Sequence, residues 1–288
     1  MTRPARRDQT LPPPPCVLQV GTSGYSYPEW LDAGFYPPGT PAREMLTQYA
    51  RNFSVTELNY TWYQMPKAAA MERMLPRVPA GFGFAVKLTR SMTHEVDPDG
   101  WRSQVGFFRN GIAPLLQAGR LLAVLIQLPP SFDRGREHRL YLSRLLDRLE
   151  GLPLAVEFRH RSWAVDRVFA GLENRRVTLV SVDVPELSDL FPALDVVTNP
   201  DLFYIRFHGR NRRGWRSGNM QKQFDYDYSA DELLPWSTRT IPKMANQART
   251  GIAFFNNHVR AQAPRNAKTL VEQLAAQGTP VENTMRML

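Results

Sequence analysis

The chain has 288 residues, 43% of them hydrophobic and 11% aromatic, with a formal net charge of +9. That apolar content supports a sizeable core and excludes disordered and fibrous classes. The longest aliphatic run, Leu121 to Ile126, is far shorter than the roughly 18 residues a membrane-spanning helix needs, so a soluble protein with no membrane partner is expected.

The opening stretch MTRPARRDQTLPPPP, residues 1–15, has Arg and Pro where a secretory signal would carry an apolar segment. It predicts a flexible, disordered tail and a cytoplasmic location, with residues 16–288 forming the folded domain. Cys16 is the only cysteine, which excludes an intrachain disulfide and a thiolate zinc cluster. The first 16 residues carry three Arg against one Asp, leaving +7 on the rest. An excess of this size favours anionic partners, although it also serves plain solubility.

Short β-rich runs alternate with longer helical patterns eight times. The strand candidates are VLQVGT (17–22), VTELNYT (55–61), FGFAVKL (82–88), LLAVLIQL (121–128), LAVEFRH (154–160), VTLVSVD (177–183), LFYIRFH (202–208) and IAFFNNH (252–258). The clearest helices are 41–52, opened by Pro41, then 137–149 with leucines at 140, 142, 145, 146 and 149, then 264–275, opened by Pro264. After the sixth strand Pro185, Pro192 and Pro200 predict a loop with short turns. Eight strand-then-helix units in one chain point to a single closed parallel α/β barrel more than to an open doubly wound sheet. GTSGYS after the first strand lacks a third glycine, and no acidic residue ends the second strand. A dinucleotide site is therefore not expected, and no cofactor is assigned.

Chemistry in such a barrel gathers at the C-terminal ends of the strands. Those ends carry Ser23, Glu57 and Asn59, Lys87, Gln127, Glu157 and Arg159, Asp183, Arg206 and His208, then Asn256, Asn257 and His258. Strand alternation puts Ala155, Glu157 and Arg159 on one face, and Gly83, Ala85 and Lys87 on one face, where small residues suit a barrel interior. Inward charges persist only when paired or when a ligand needs them. Glu57, Glu157 and Asp183 balance Lys87, Arg159 and Arg206, so both a neutral capping network and a binding site are open. The same cations, and the absence of an HExxH spacing, argue against a metal, and none is assigned. The segment HGRNRRGWRSG (208–218) surrounds Trp215 with Arg210, Arg212, Arg213 and Arg216. It fits a phosphate seat beside the helix start at Pro264, or a solvated basic loop. Tyr25, Tyr27, Trp30, Phe35, Trp62, Tyr63 and Trp163 supply stacking surfaces or loop packing.

The segments GTSGYSYPEW, FYPPG, TELNYTWYQMP, GFGFAVKLTRSMTH, LAVEFRHRSW, YIRFHGR and FFNNH...NAKTL follow one another in that order. Together they resemble the YecE-like family, the domain of unknown function 72, from about Val17 to about Leu274. The resemblance implies a TIM-like (β/α)8 barrel and a pocket lined by the motif residues, with no established reaction. Carried onto this chain, the motif positions are Gly21, Ser23, Gly24, Tyr25, Trp30, Glu57, Asn59, Tyr63, Lys87, Glu157, Arg159, Trp163, Arg206, His208, Gly209, Asn257 and Asn266. Two departures stand out. NYTWY at 59–63 replaces the usual NSTFY, introducing Tyr60 and Trp62, and His258 and Ala261 stand where the family pattern has a small polar residue and a glycine.

The leading expectation is a polar pocket that binds, and in a catalytic version hydrolyses, a phosphate-bearing ligand such as a nucleotide or nucleic acid. Arg206, Arg210, Arg212 and Arg213 would seat phosphate, Glu157 or Glu57 would be the general base and His208 the acid. Ser23, Tyr25, Trp30, Asn59, Tyr63, Lys87, Arg159, Trp163, Asp183 and Asn257 complete the expected ligand contacts. One alternative is a glycoside-processing barrel using Glu57 and Glu157. The other is a nucleic-acid binder without chemistry.

Overall fold

The computed structural model describes residues 16–282, so the tail expected at 1–15 lies outside the described residues. Eight parallel strands close in chain order into a (β/α)8 barrel: β1 (Val17–Ser23), β2 (Val55–Leu58), β3 (Gly83–Lys87), β4 (Leu121–Gln127), β5 (Leu154–Glu157), β6 (Thr178–Asp183), β7 (Leu202–Phe207) and β8 (Thr250–Phe255). β8 pairs back onto β1, with Gly21 opposite Phe254. No helix among the described residues is long and apolar enough to cross a membrane.

The three helices expected most clearly are present, as Ala42–Tyr49, Arg136–Arg148 and Gln262–Ala276. Each puts an apolar stripe on the barrel; Leu142, Leu145 and Leu146, for example, are buried. Pro41 caps the first of these helices and Pro264 sits inside the first turn of the last. At both positions the missing N–H has no intrahelical partner to lose.

Several strands end sooner than expected. β2 stops at Leu58, and Tyr60–Tyr63 forms one helical turn. The reason is local: the Thr61 hydroxyl lies 2.7 Å from the Leu58 carbonyl oxygen and 2.6 Å from that of Lys87. It folds the chain back over the rim and ties down the end of β3.

Between β1 and β2 a side chain substitutes for part of the ladder. Only Thr22 with Thr56 and Ser23 with Glu57 are in register. Below them the Tyr49 hydroxyl accepts from the Thr22 amide at 2.8 Å and donates to the Val55 carbonyl at 3.0 Å. Gly21 makes room for this splice, because a Cβ there would lie 2.3 Å from the Val55 oxygen and 2.9 Å from the Tyr49 hydroxyl.

The connection from β6 to β7 contains no helix, as its prolines predict. Residues 184–201 instead form a strap hydrogen-bonded to β6. Thr198 Oγ1 accepts from the Leu179 amide at 2.8 Å and donates to the Val177 carbonyl at 2.7 Å, while Ser181 Oγ donates to the Leu194 carbonyl. Phe191 fills the space a helix would have covered.

Candidate functional site

Strand alternation sorts the polar side chains at the barrel top into two sets. Ser23, Glu57, Lys87, Glu157, Tyr204, Arg206, His208 and Asn256 face inward and meet one another. At their centre the Arg206 guanidinium grips Glu57 bidentately, Nε to Oε2 at 2.9 Å and Nη2 to Oε1 at 2.6 Å. Its remaining nitrogen, Nη1, donates to Glu157 Oε2 at 2.6 Å, and Nη2 also reaches Ser23 Oγ at 3.4 Å. Tyr204 donates its hydroxyl to Glu57, and Arg159 donates Nε to Glu157. His208 lies against Glu157 Oε1 at 3.2 Å through Nε2 and against Asn256 Nδ2 at 3.1 Å through Nδ1. Glu57, Glu157, Arg206 and His208 are all fully or almost fully buried. Opposite charges in this setting compensate the loss of water that would otherwise expel them.

The electrostatics follow from burial and neighbours. Burial alone would raise the Glu157 carboxyl, but Arg159, Arg206 and His208 outweigh it and hold it well below the ordinary value. Glu157 is therefore a poor proton acceptor, and its oxygens are occupied. Burial, with Arg159 next, pushes His208 down to about 3. That shift favours a neutral imidazole near pH 7 and tells against the expected role as the acid. Lys87 is lowered to about 7 by burial and then by Arg206 and Arg159, against the pull of Glu57 and Glu157.

Above this layer lies a cavity of about 900 Å³. Its floor includes Glu57, Lys87 and Arg159, and its walls are largely aromatic: Tyr25, Tyr27, Trp62, Tyr63, Trp215 and Phe224. Lys87 Nζ sits 5.1 Å from the Trp62 ring centre, and the Arg159 guanidinium lies 5.1 Å from that of Trp215. Two polar atoms on wall residues, Asn59 Oδ1 and Trp215 Nε1, are buried without any hydrogen-bond partner. Such orphans are uncommon in folded proteins and mark places where a partner is missing. Tyr60 and Trp62, the two positions read from the sequence as departures from the expected family pattern, both line this cavity.

Other expected site residues lie elsewhere. Asp183 faces outward from β6, where Arg210 binds it bidentately and Tyr228 and Trp236 donate to it. Arg210 is consumed by that pair, and Arg212 donates to the Glu186 carbonyl. Neither residue lines the central cavity; both border a separate depression beside Pro185 and Phe191. Arg206, expected to seat phosphate, has every nitrogen engaged with the interior carboxylates. Asn257 points away from the barrel axis and donates to Tyr226 O and Asn266 Oδ1. Trp30 and Trp163 are buried packing residues, donating to His258 O and Phe132 O respectively. The helix start near Pro264 is used internally, with Gln262 holding Asp225 and the Tyr226 amide.

His94 and Phe224 are among the cavity residues that escaped sequence reasoning. His94, lowered to about 4 by burial and then by Lys87, accepts from Trp62 Nε1 at 3.3 Å. Phe224 comes from the short helix Met220–Phe224, which folds the long loop after β7 over the mouth. His94 does close the segment GFGFAVKLTRSMTH, which was a usable signal; Phe224 carried none.

A family profile described as a protein of unknown function, DUF72, matches residues 19–287. The protein YunF of Bacillus subtilis, of the UPF0759 group, is 27% identical over 273 residues, covering 90% of this chain and 95% of its own. YecE of Escherichia coli K12, of the same group, is also 27% identical, over 283 residues that cover 90% of this chain and 93% of its own. Among solved structures, a DUF72 family protein from Thermotoga maritima is 33% identical with a TM-score of 0.81, covering 90% of this chain and 99% of that one. A matching sequence profile along nearly the whole barrel and a superimposable relative agree: the chain belongs to the DUF72 family.

Proposed function

We propose that the barrel mouth binds a small phosphate-bearing ligand that also carries a planar or sugar ring, with a mononucleotide as the representative case. The observation that carries this reading is the state of the inward charges. Among the described residues Glu57, Glu157, Arg159 and Arg206 all have ionic partners, whereas Lys87 Nζ has none and faces the cavity. A cation left unpaired beside a second one, Arg159, is a seat for an anionic group. The aromatic walls and a volume near 900 Å³ suit a ring of nucleoside size. Phosphate would thus rest on Arg159 with Lys87 Nζ at its edge, while the loop arginines stay outside.

Glycoside processing has less support, because Glu57 and Glu157 are both clamped by Arg206 and neither offers a free oxygen. Nucleic-acid binding would draw on exposed cations of the loop after β7, such as Arg213 and Arg216, rather than on the cavity. Calorimetric titration with AMP, pyrophosphate and a single-stranded oligonucleotide, each at low and high salt, tests the three together. AMP and pyrophosphate should bind with salt-weakened affinity, and Lys87→Gln should reduce that affinity about tenfold, the scale of one charged hydrogen bond. Absence of heat with every phosphate compound overturns the proposal, and tight binding of the oligonucleotide alone would move the site to the loop surface.

A further inference from the structure

We propose that Lys87 is a nucleophilic amine that forms an imine with the carbonyl group of an aldehyde or ketone carrying a phosphate. This rests on the reading of the cavity as a phosphate site and specifies the ligand class. Lys87 ends β3 with its backbone pinned by the Thr61 hydroxyl on its carbonyl oxygen. Its side chain crosses the face of Trp62 and is half-buried, opening to the cavity. Among the described residues no carboxylate pairs with Nζ and no hydrogen bond engages it, so the nitrogen lone pair has no competitor once the proton is gone.

The groups around it keep that proton loosely held. Arg206 and Arg159 face it from β7 and from the end of β5, His94 from the loop after β3, and Glu57 and Glu157 from below. The cations and the loss of water prevail, and the ammonium titrates at about 7. Near neutrality a large fraction is therefore free amine, the form required of an imine-forming lysine.

In the step itself the neutral amine attacks the carbonyl carbon, and one N–H proton passes to the oxygen to give a carbinolamine. The hydroxyl then leaves as water with the second proton, and a carbon–nitrogen double bond forms without any oxidant or reductant. A phosphate held on Arg159 would fix the carbonyl end over Nζ.

The chain has five lysines, Lys67, Lys87, Lys222, Lys243 and Lys268. Lys67, Lys222 and Lys243 are exposed, and Lys268 lies half-buried on an outer helix, so site selectivity can be read directly. The full chain is incubated with pyridoxal 5′-phosphate, reduced with borohydride and mapped by peptide mass spectrometry, with pyridoxal in a parallel arm. Lys87 should carry most of the reduced adduct at pH 7, with labelling that rises through a midpoint near the same pH. Pyrophosphate should suppress it, and pyridoxal should label it far less. Adduct spread evenly over the exposed lysines, with Lys87 unmodified, overturns the proposal. If pyrophosphate binds by calorimetry yet Lys87 stays unmodified, only the imine fails. If pyridoxal labels Lys87 as well as its phosphate does, the imine stands and the phosphate seat fails.

Discussion

Arg260 and Ala261 adopt left-handed backbone conformations, with φ of 51° and 55°. For a residue with a Cβ this conformation costs about 1 kcal/mol or more. The neighbourhood holds them there: Trp30 donates to the His258 carbonyl, Tyr27 stacks on the His258 ring, and Arg265 donates to the Arg260 carbonyl. The resemblance read from the sequence implies a glycine where Ala261 stands, so this strain was signalled there as a departure from the expected pattern. Ala261→Gly should raise stability by about 1 kcal/mol, read as an upward shift in Tm with the denaturant slope unchanged. An unchanged or lower Tm would show that the loop is held without strain. Polar residues at strand ends were harder to interpret. Lys87 and Glu157 alternate with small neighbours and declare their face, whereas β6 and the end of β8 are buried on both sides. Asp183 and Asn257 could therefore point either way in sequence, and both point outward.

Alternation of strand and helix was readable because each unit repeats the same two periods, but strand ends were not, since side-chain hydroxyls terminate them. Thr61 ends β2 through contacts to carbonyls on two strands, one of them 26 positions away, and no local pattern encodes that. The strap after β6 shows the converse. Its prolines announced the missing helix, but not what replaced it. Thr198 replaces it in part, satisfying the Leu179 amide within β6 and the Val177 carbonyl just before it. Thr198→Val keeps the shape and removes the acceptor, stranding the buried Leu179 amide at a penalty of about 1–3 kcal/mol. Urea unfolding should show that loss for Thr198→Val and near-recovery for Thr198→Ser. Equal losses in both variants would mean that the methyl group, not the hydroxyl, secures the strap.

The barrel as a whole encloses charge, and His208, Lys87 and Glu157 in its interior all shift in the sense that penalises acid. His208 titrates at about 3 when folded, against 6.5 for the free side chain, with burial the main cause. Between those values the unfolded chain takes up a proton that the folded chain refuses, so stability falls as pH drops from about 6.5 towards 3. Lys87 acts in the same direction higher up, because its folded value of about 7 lies below the free value of 10.5. Stability consequently rises from pH 7 towards 10.5 on its account. Glu157, held well below 4.5, adds a loss that begins as pH falls under that value. From His208 alone the difference between pH 7 and pH 4 is about 3 kcal/mol. Differential scanning calorimetry across that range should show Tm falling steeply below pH 6.5. His208→Gln, which can still donate to Glu157 or accept from Asn256, should start from a lower Tm and lose much of that slope. If the wild-type and variant curves run parallel from pH 6.5 to 4, the imidazole is not the group that refuses the proton, and the neutral state assigned to it in the barrel interior is wrong.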